Sequence, residues 1–208
     1  MRNEGWGAIR IALVATGLSL AAVSMSGAAP RIAVMPDVDP VDATGFTAND
    51  TDFLNLMGNL EGPRGFGTVS DLAPALPWSE LDSMTIGEVL DYQVRIRRMG
   101  TQSSAVGRYQ FIHATLVQIL RTHGISREMV FDGEIQTFLA RLLMRDCGFY
   151  DVATPIDRLG NCLAGRWAAL PLLSGPDAGL SAYHDDGLNH HLVSSNDFRN
   201  VLETRFRW

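Results

Sequence analysis

One carboxylate and one short polar stretch are the parts of this chain whose residue types and placement could do chemistry. Glu61 stands directly before Gly62-Pro63, at the end of a segment with a helical apolar repeat. The C-terminus of a helix carries partial negative charge, which disfavours another negative charge there. If Met57 and Leu60 also shield the carboxyl from water, its pKa rises. A carboxyl still protonated near neutral pH is what a general acid needs to protonate a glycosidic oxygen. On position alone, an ordinary surface glutamate is the simpler reading.

The polar stretch runs from Ser103 to Ile112. Ser103, Ser104, Arg108, Tyr109 and Gln110 put hydroxyl, guanidinium, phenol and amide groups into eight consecutive residues. Sugars are bound by such groups together with aromatic faces. Arg108 could instead hold Glu61 or another carboxylate, and Gly107 suggests a tight backbone approach. The competing structural reading is a glycine-opened helix start with Tyr109 packed in the core.

Other candidates are weaker. His184-Asp185-Asp186 and His190-His191 form the densest group of metal-ligand types, but the spacing matches no metal signature, so no metal is expected. His113 and His123 read as surface or cap residues on a helix. Trp78, Trp167 and Trp208 read as core or edge aromatics, with sugar stacking the alternative for Trp78. No phosphate-cradling glycine motif, Ser-His-Asp order or Cys-His pair stands out. Cys147 and Cys162 are the only cysteines. In an exported chain they favour a disulfide, against the alternative of two buried thiols.

The elements that must position these groups are mostly helices. Phe53, Leu56, Met57 and Leu60 follow the helical period, with Asn49, Asp50 or Thr51 as possible N-caps and Gly62-Pro63 as the stop. Residues 62–82 have no period and suit a loop or small hairpin. Thr85-Ile86-Gly87-Glu88 reads as a capping box, opening a helix to about Arg98. Ile112, Leu116, Ile119 and Leu120 mark a helix ending at His123-Gly124. Ile135, Phe138, Leu139 and Leu142 mark another. Thr154-Pro155 opens a further one, with Pro155 at its first position and Ile156, Leu159, Leu163 and Trp167 on its buried face. Residues 171–187 read as a loop, and Phe198, Val201, Leu202 and Phe206 as a last helix.

Residues 1–28 read as a secretory leader: Arg2 and Arg10, an apolar run from Ile11 to Met25, and small residues at Ser26-Gly27-Ala28. The run is about fifteen residues, short of the ~20 that span a bilayer; an uncleaved anchor is the alternative. Residues 29–48, with Pro30, Pro36 and Pro40, read as a linker or extended N-terminal arm, and 49–208 as one domain. The formal charge is −6, and losing the leader makes it one unit more negative. Such a chain has no general electrostatic drive toward nucleic acid. The expectation is a periplasmic or secreted monomer, without a cofactor and without membrane insertion once the leader is gone.

Taken in order, Glu61-Gly62 after an amphipathic helix, Thr85-Ile86-Gly87-Glu88-Val89, and Gly107-Arg108-Tyr109-Gln110-Phe111-Ile112 resemble the phage-type lytic transglycosylases related to lambda lysozyme. Residues 163–171, the Gly/Ser-rich loop after them and Tyr183 are similar to that family's C-terminal part. The resemblance covers roughly residues 50–206. It implies a lysozyme-like α+β fold, mainly helical, with a small hairpin region and a substrate cleft. It implies cleavage of the β-1,4 bond between N-acetylmuramic acid and N-acetylglucosamine in peptidoglycan glycan strands, with Glu61 as the catalytic acid and Arg108, Tyr109 and Gln110 in the cleft wall. Ser103, Ser104 and Tyr183 join them as substrate-binding candidates. No second carboxylate stands in a recognisable motif; Asp71, Glu80 and Asp82 lie in the aperiodic loop. A single acid suits a transglycosylase that forms 1,6-anhydromuramoyl ends. A water-using muramidase and a non-catalytic wall-binding or particle-assembly protein are the alternatives.

Overall fold

The computed structural model describes residues 48–207. The leader over 1–28, the arm up to residue 47 and Trp208 lie outside the described residues. Ala48, the last residue assigned to the arm, is buried. Six α-helices carry the architecture: α1 Thr51–Glu61, α2 Ile86–Arg98, α3 His113–His123, α4 Gly133–Asp146, α5 Ile156–Ala164 and α6 Ser195–Glu203. All six arise where the apolar period or, for α2, the capping box predicts them.

Local chemistry sets their ends. Thr85 accepts from the Glu88 backbone N–H at 3.2 Å while the Glu88 carboxylate accepts from the Thr85 N–H at 2.8 Å, a complete capping box. These bonds from Thr85 hold the Glu88 carboxyl below its usual range. Asp132 caps α4 through the Ile135 N–H, and Ser194 caps α6 through the Asp197 N–H. Gly124 ends α3 in the left-handed conformation. Pro155, expected at the first helical position of α5, is instead its N-cap, and the helix starts one residue later at Ile156.

Among the described residues β-structure is confined to isolated bridges. Residues 62–82 form a loop ending in a 3-10 turn at Leu81–Ser83 rather than a hairpin. Their one β contact is the bridge from Val69 to Val106. Val106 also bridges Phe111, so the tight turn lies across 106–111. A second turn-back pairs Pro171 with Ser181 inside the predicted loop. The described chain is therefore mainly α-helical.

The core is one cluster reached by every helix. Within it the fully buried Phe53 ring of α1 meets Phe149, Trp167 and Phe198 at 5.5, 5.7 and 6.4 Å between centroids. Edge-to-face and tilted contacts of this kind suit the ring quadrupoles. Below it, Asp50 is buried and held by Arg141 at 2.7 and 3.2 Å and by the Tyr150 hydroxyl at 2.9 Å. Burial, and then the Asp50 charge, push the Tyr150 phenol well above its usual range. Arg205, also buried, donates to the carbonyls of Phe149 and Leu202. The Asn49 N–H donates to the Arg205 carbonyl at 2.6 Å, which fastens the start of the domain to its end. Cys147, at the end of α4, and Cys162, in α5, form a disulfide.

Candidate functional site

Glu61 is the last residue of α1, half-buried, above the fully buried Met57. Burial raises its pKa to about 7, and a bond from the Ala169 backbone N–H only partly offsets this. The direction is the one its position predicts, but the dominant cause is loss of water rather than the helix dipole. Ala169 belongs to the segment after α5, so the acid is held between the end of α1 and the chain leaving α5.

Arg108 closes on the same helix end. A methyl group added to Gly58 would fall within the Arg108 guanidinium, and one added to Gly62 would collide with the Arg108 backbone. The two glycines that flank Glu61 along the helix thus let the 107–110 turn lie directly against it. The guanidinium also stands 5.7 Å from the centre of the Phe66 ring, a cation–π contact. The loop after Glu61 runs straight into the wall of an open groove of about 540 Å³. Arg64, Phe66, Leu76, Glu80 and Asp82 are among its lining residues; Glu61 is not. Arg64 is tied to the Val69 carbonyl and to Asp71.

The polar stretch divides between wall and core. Arg108 and Gln110 are half-buried, and Gln110 adopts a left-handed backbone (φ 47°) while its side-chain amide donates to the Gly107 carbonyl. Tyr109, expected in the cleft wall, is buried instead: its hydroxyl pairs with Thr137 and its carbonyl accepts from the Trp167 indole at 3.0 Å. Its ring packs edge-on against Phe66 and Phe111. Ser104 is buried too, with its hydroxyl accepting from the first N–H of α3 and its carbonyl accepting from Gln93. The Ser103 hydroxyl accepts from the Ala105 N–H. These two serines, expected to bind substrate, have hydroxyls engaged in shaping the turn. Tyr183 is exposed, and its hydroxyl donates to the Gly165 carbonyl at 2.6 Å, on the segment that leads to Ala169.

Two residues that the sequence reading passed over organise this wall. Gln136 of α4 is fully buried. Its oxygen accepts from the Arg108 N–H at 2.9 Å, and its nitrogen donates to the carbonyls of Phe66 and Phe131 at 3.0 and 2.8 Å. Gln93 of α2, also fully buried, donates to the carbonyls of Ser104 and Phe111. The available signal was a polar amide inside an otherwise apolar helical stripe.

The remaining candidates scatter. His184 pairs with Asp185, and Asp186 accepts from the Leu188 and Asn189 backbone. Among the described residues no group of three His, Cys, Asp or Glu side chains could hold a metal ion. His123 contacts Asp146 and Arg145. Trp167 is core, whereas Trp78 is exposed and meets Tyr92 edge-on. The chain matches no protein-family model, no curated protein and no solved structure.

Proposed function

We propose that this chain is an exported peptidoglycan lytic transglycosylase with a lysozyme-like fold, and that Glu61 is its single general acid and base. One observation carries the reading: a half-buried carboxyl at a helix end with its pKa raised to about 7, on the chain segment that enters an open groove. Such a group is about half protonated in a neutral medium, poised both to give its proton up and to take one back. Glu61 donates its proton to the glycosidic oxygen of the N-acetylglucosamine leaving group, and the bond from muramoyl C1 breaks. The resulting carboxylate then takes the proton of the muramoyl 6-hydroxyl as that oxygen bonds to C1. The acid is restored, no water is consumed and the product is a 1,6-anhydro end. The Arg108 guanidinium and the Phe66 ring offer polar and flat apolar surface beside the acid for the sugar.

A water-using muramidase is the second reading, favoured by Glu80 and Asp82, which line the groove and form no ion pair among the described residues. Digestion of purified peptidoglycan followed by mass spectrometry separates the two. Anhydro ends are lighter than reducing ends by one water. Predominantly reducing ends establish the hydrolase, and intact glycan in the presence of folded protein removes both readings.

A further inference from the structure

We infer that Gln136 is the positioning residue of this site, the side chain that fixes the wall beside Glu61 by holding the Arg108 turn and the Phe66 loop on one buried amide. The inference rests on the proposed reading of Glu61 as the acid.

Three segments meet at Gln136: the turn through Arg108, the loop through Phe66, and Phe131 just before α4. Only an amide can serve all three, because the arrangement needs one acceptor and two donors from a single planar group. A carboxylate would present an oxygen to two carbonyls, and an apolar side chain would strand three backbone groups that are buried or half-buried. The helix does not depend on this amide, since the Gln136 backbone N–H already bonds the Asp132 carbonyl. The turn, by contrast, is shaped around it. Gly107 has φ of 80°, and a methyl group there would overlap the Gln136 oxygen. What Gln136 holds is the site itself: Phe66 lines the groove, and Arg108 lies on Gly58, Gly62 and the Phe66 ring. What it does not hold is Glu61, which is set by α1 and Ala169. Loosening Gln136 therefore degrades glycan binding and spares the proton transfers.

Steady-state cleavage of soluble, uncross-linked peptidoglycan strands by Gln136→Met tests this, with Leu202→Ala on α6 as a comparably destabilised control remote from the turn. KM rises about tenfold and kcat stays within about threefold of wild type, the pattern of lost uniform binding. Exchange of the Arg108 amide proton accelerates by about tenfold or more as its acceptor is lost. Leu202→Ala changes neither. Should Gln136→Met fail to fold, Gln136→Asn, which keeps an amide but is one methylene too short, carries the same expectation. Unchanged KM in a folded variant, or a fall in kcat alone, overturns the assignment while leaving Glu61 in place. A wild-type chain that cuts no glycan is a different failure: it overturns the reading of Glu61 and this inference with it.

Discussion

Replacing Glu61 by Gln should abolish cleavage and, above neutral pH, make the protein more stable. The raised pKa carries this consequence. In the folded chain Glu61 titrates at about 7, against an ordinary value of 4.5. Between those two values the folded state holds a proton that the unfolded state has released, so stability falls as pH rises through this window. Below 4.5 both states are protonated and the group contributes nothing. Above 7 the full penalty is present, about 3 kcal/mol at 1.36 kcal/mol per pKa unit. Glutamine keeps the shape and can still accept from the Ala169 N–H, but it carries no charge to desolvate. Its extra amide protons, half-buried, cost about 1 kcal/mol. The variant should therefore be about 2 kcal/mol more stable than wild type at pH 8.5 and about 1 kcal/mol less stable at pH 4, with the curves crossing between. Urea unfolding followed by tryptophan fluorescence at half-unit pH steps measures the difference. Cleavage, assayed by clearing of a peptidoglycan suspension, should fall at least ~10²–10⁴-fold, because one group performs both proton transfers. A stability difference that is flat with pH would show that Glu61 is not buried with a raised pKa. A variant clearing peptidoglycan at more than about a tenth of the wild-type rate would remove it from the acid–base role.

Four further outcomes follow from the same structure. Wild-type activity should decline as pH rises through about 7, where Glu61 loses its proton; a pH–rate profile still climbing beyond pH 8 contradicts this. Thiol labelling of the denatured, unreduced protein should find no free cysteine, and a Cys147→Ser/Cys162→Ser double variant should lose up to ~3 kcal/mol of stability by urea titration. Arg141→Met should cost about 3 kcal/mol by leaving the Asp50 carboxylate buried without its cation, whereas Tyr150→Phe should cost only about 1 kcal/mol. Gly107→Ala should raise KM together with a loss of thermal stability, because the added methyl group meets both an unfavourable φ and the Gln136 oxygen; wild-type values for both would refute the tight-turn account.

The helices were legible because each carries its own signal. The stripe of Phe53 and Met57 marks α1, the Thr85–Glu88 box opens α2 and Gly124 closes α3. Glu61 was legible as an acid because its place at a helix end, beside Met57 and Leu60, is local information. Tyr109 was not, because an aromatic residue in a polar turn looks alike whether it faces a ligand or the core. Its burial is decided by Thr137 and Trp167, which lie far along the chain. Ser103 and Ser104 failed for a related reason: hydroxyls suit sugars and backbone N–H groups equally. Gln136 and Gln93 escaped notice because their partners are backbone atoms, and no residue type announces a carbonyl that needs a donor. The groove stayed hidden because residues 62–82 have no period, so nothing in their order shows which side chains line a surface.

The ring of Phe53 also sets the timetable on which the molecule becomes competent. Its partners Phe149, Trp167 and Phe198 lie roughly a hundred or more residues downstream, and the Asn49 backbone waits for Arg205. As the chain is made, the first of the described helices to leave the ribosome is among the last to dock. Closing so long a loop is slow relative to forming the local helix pairs. Glu61 rides on that helix, and the burial that keeps its proton in place exists only after docking. A nascent chain therefore carries an ordinary, ionised glutamate at this position. On the proposed function, the power to cut the wall arrives in a single late step, with the last sixty residues in place.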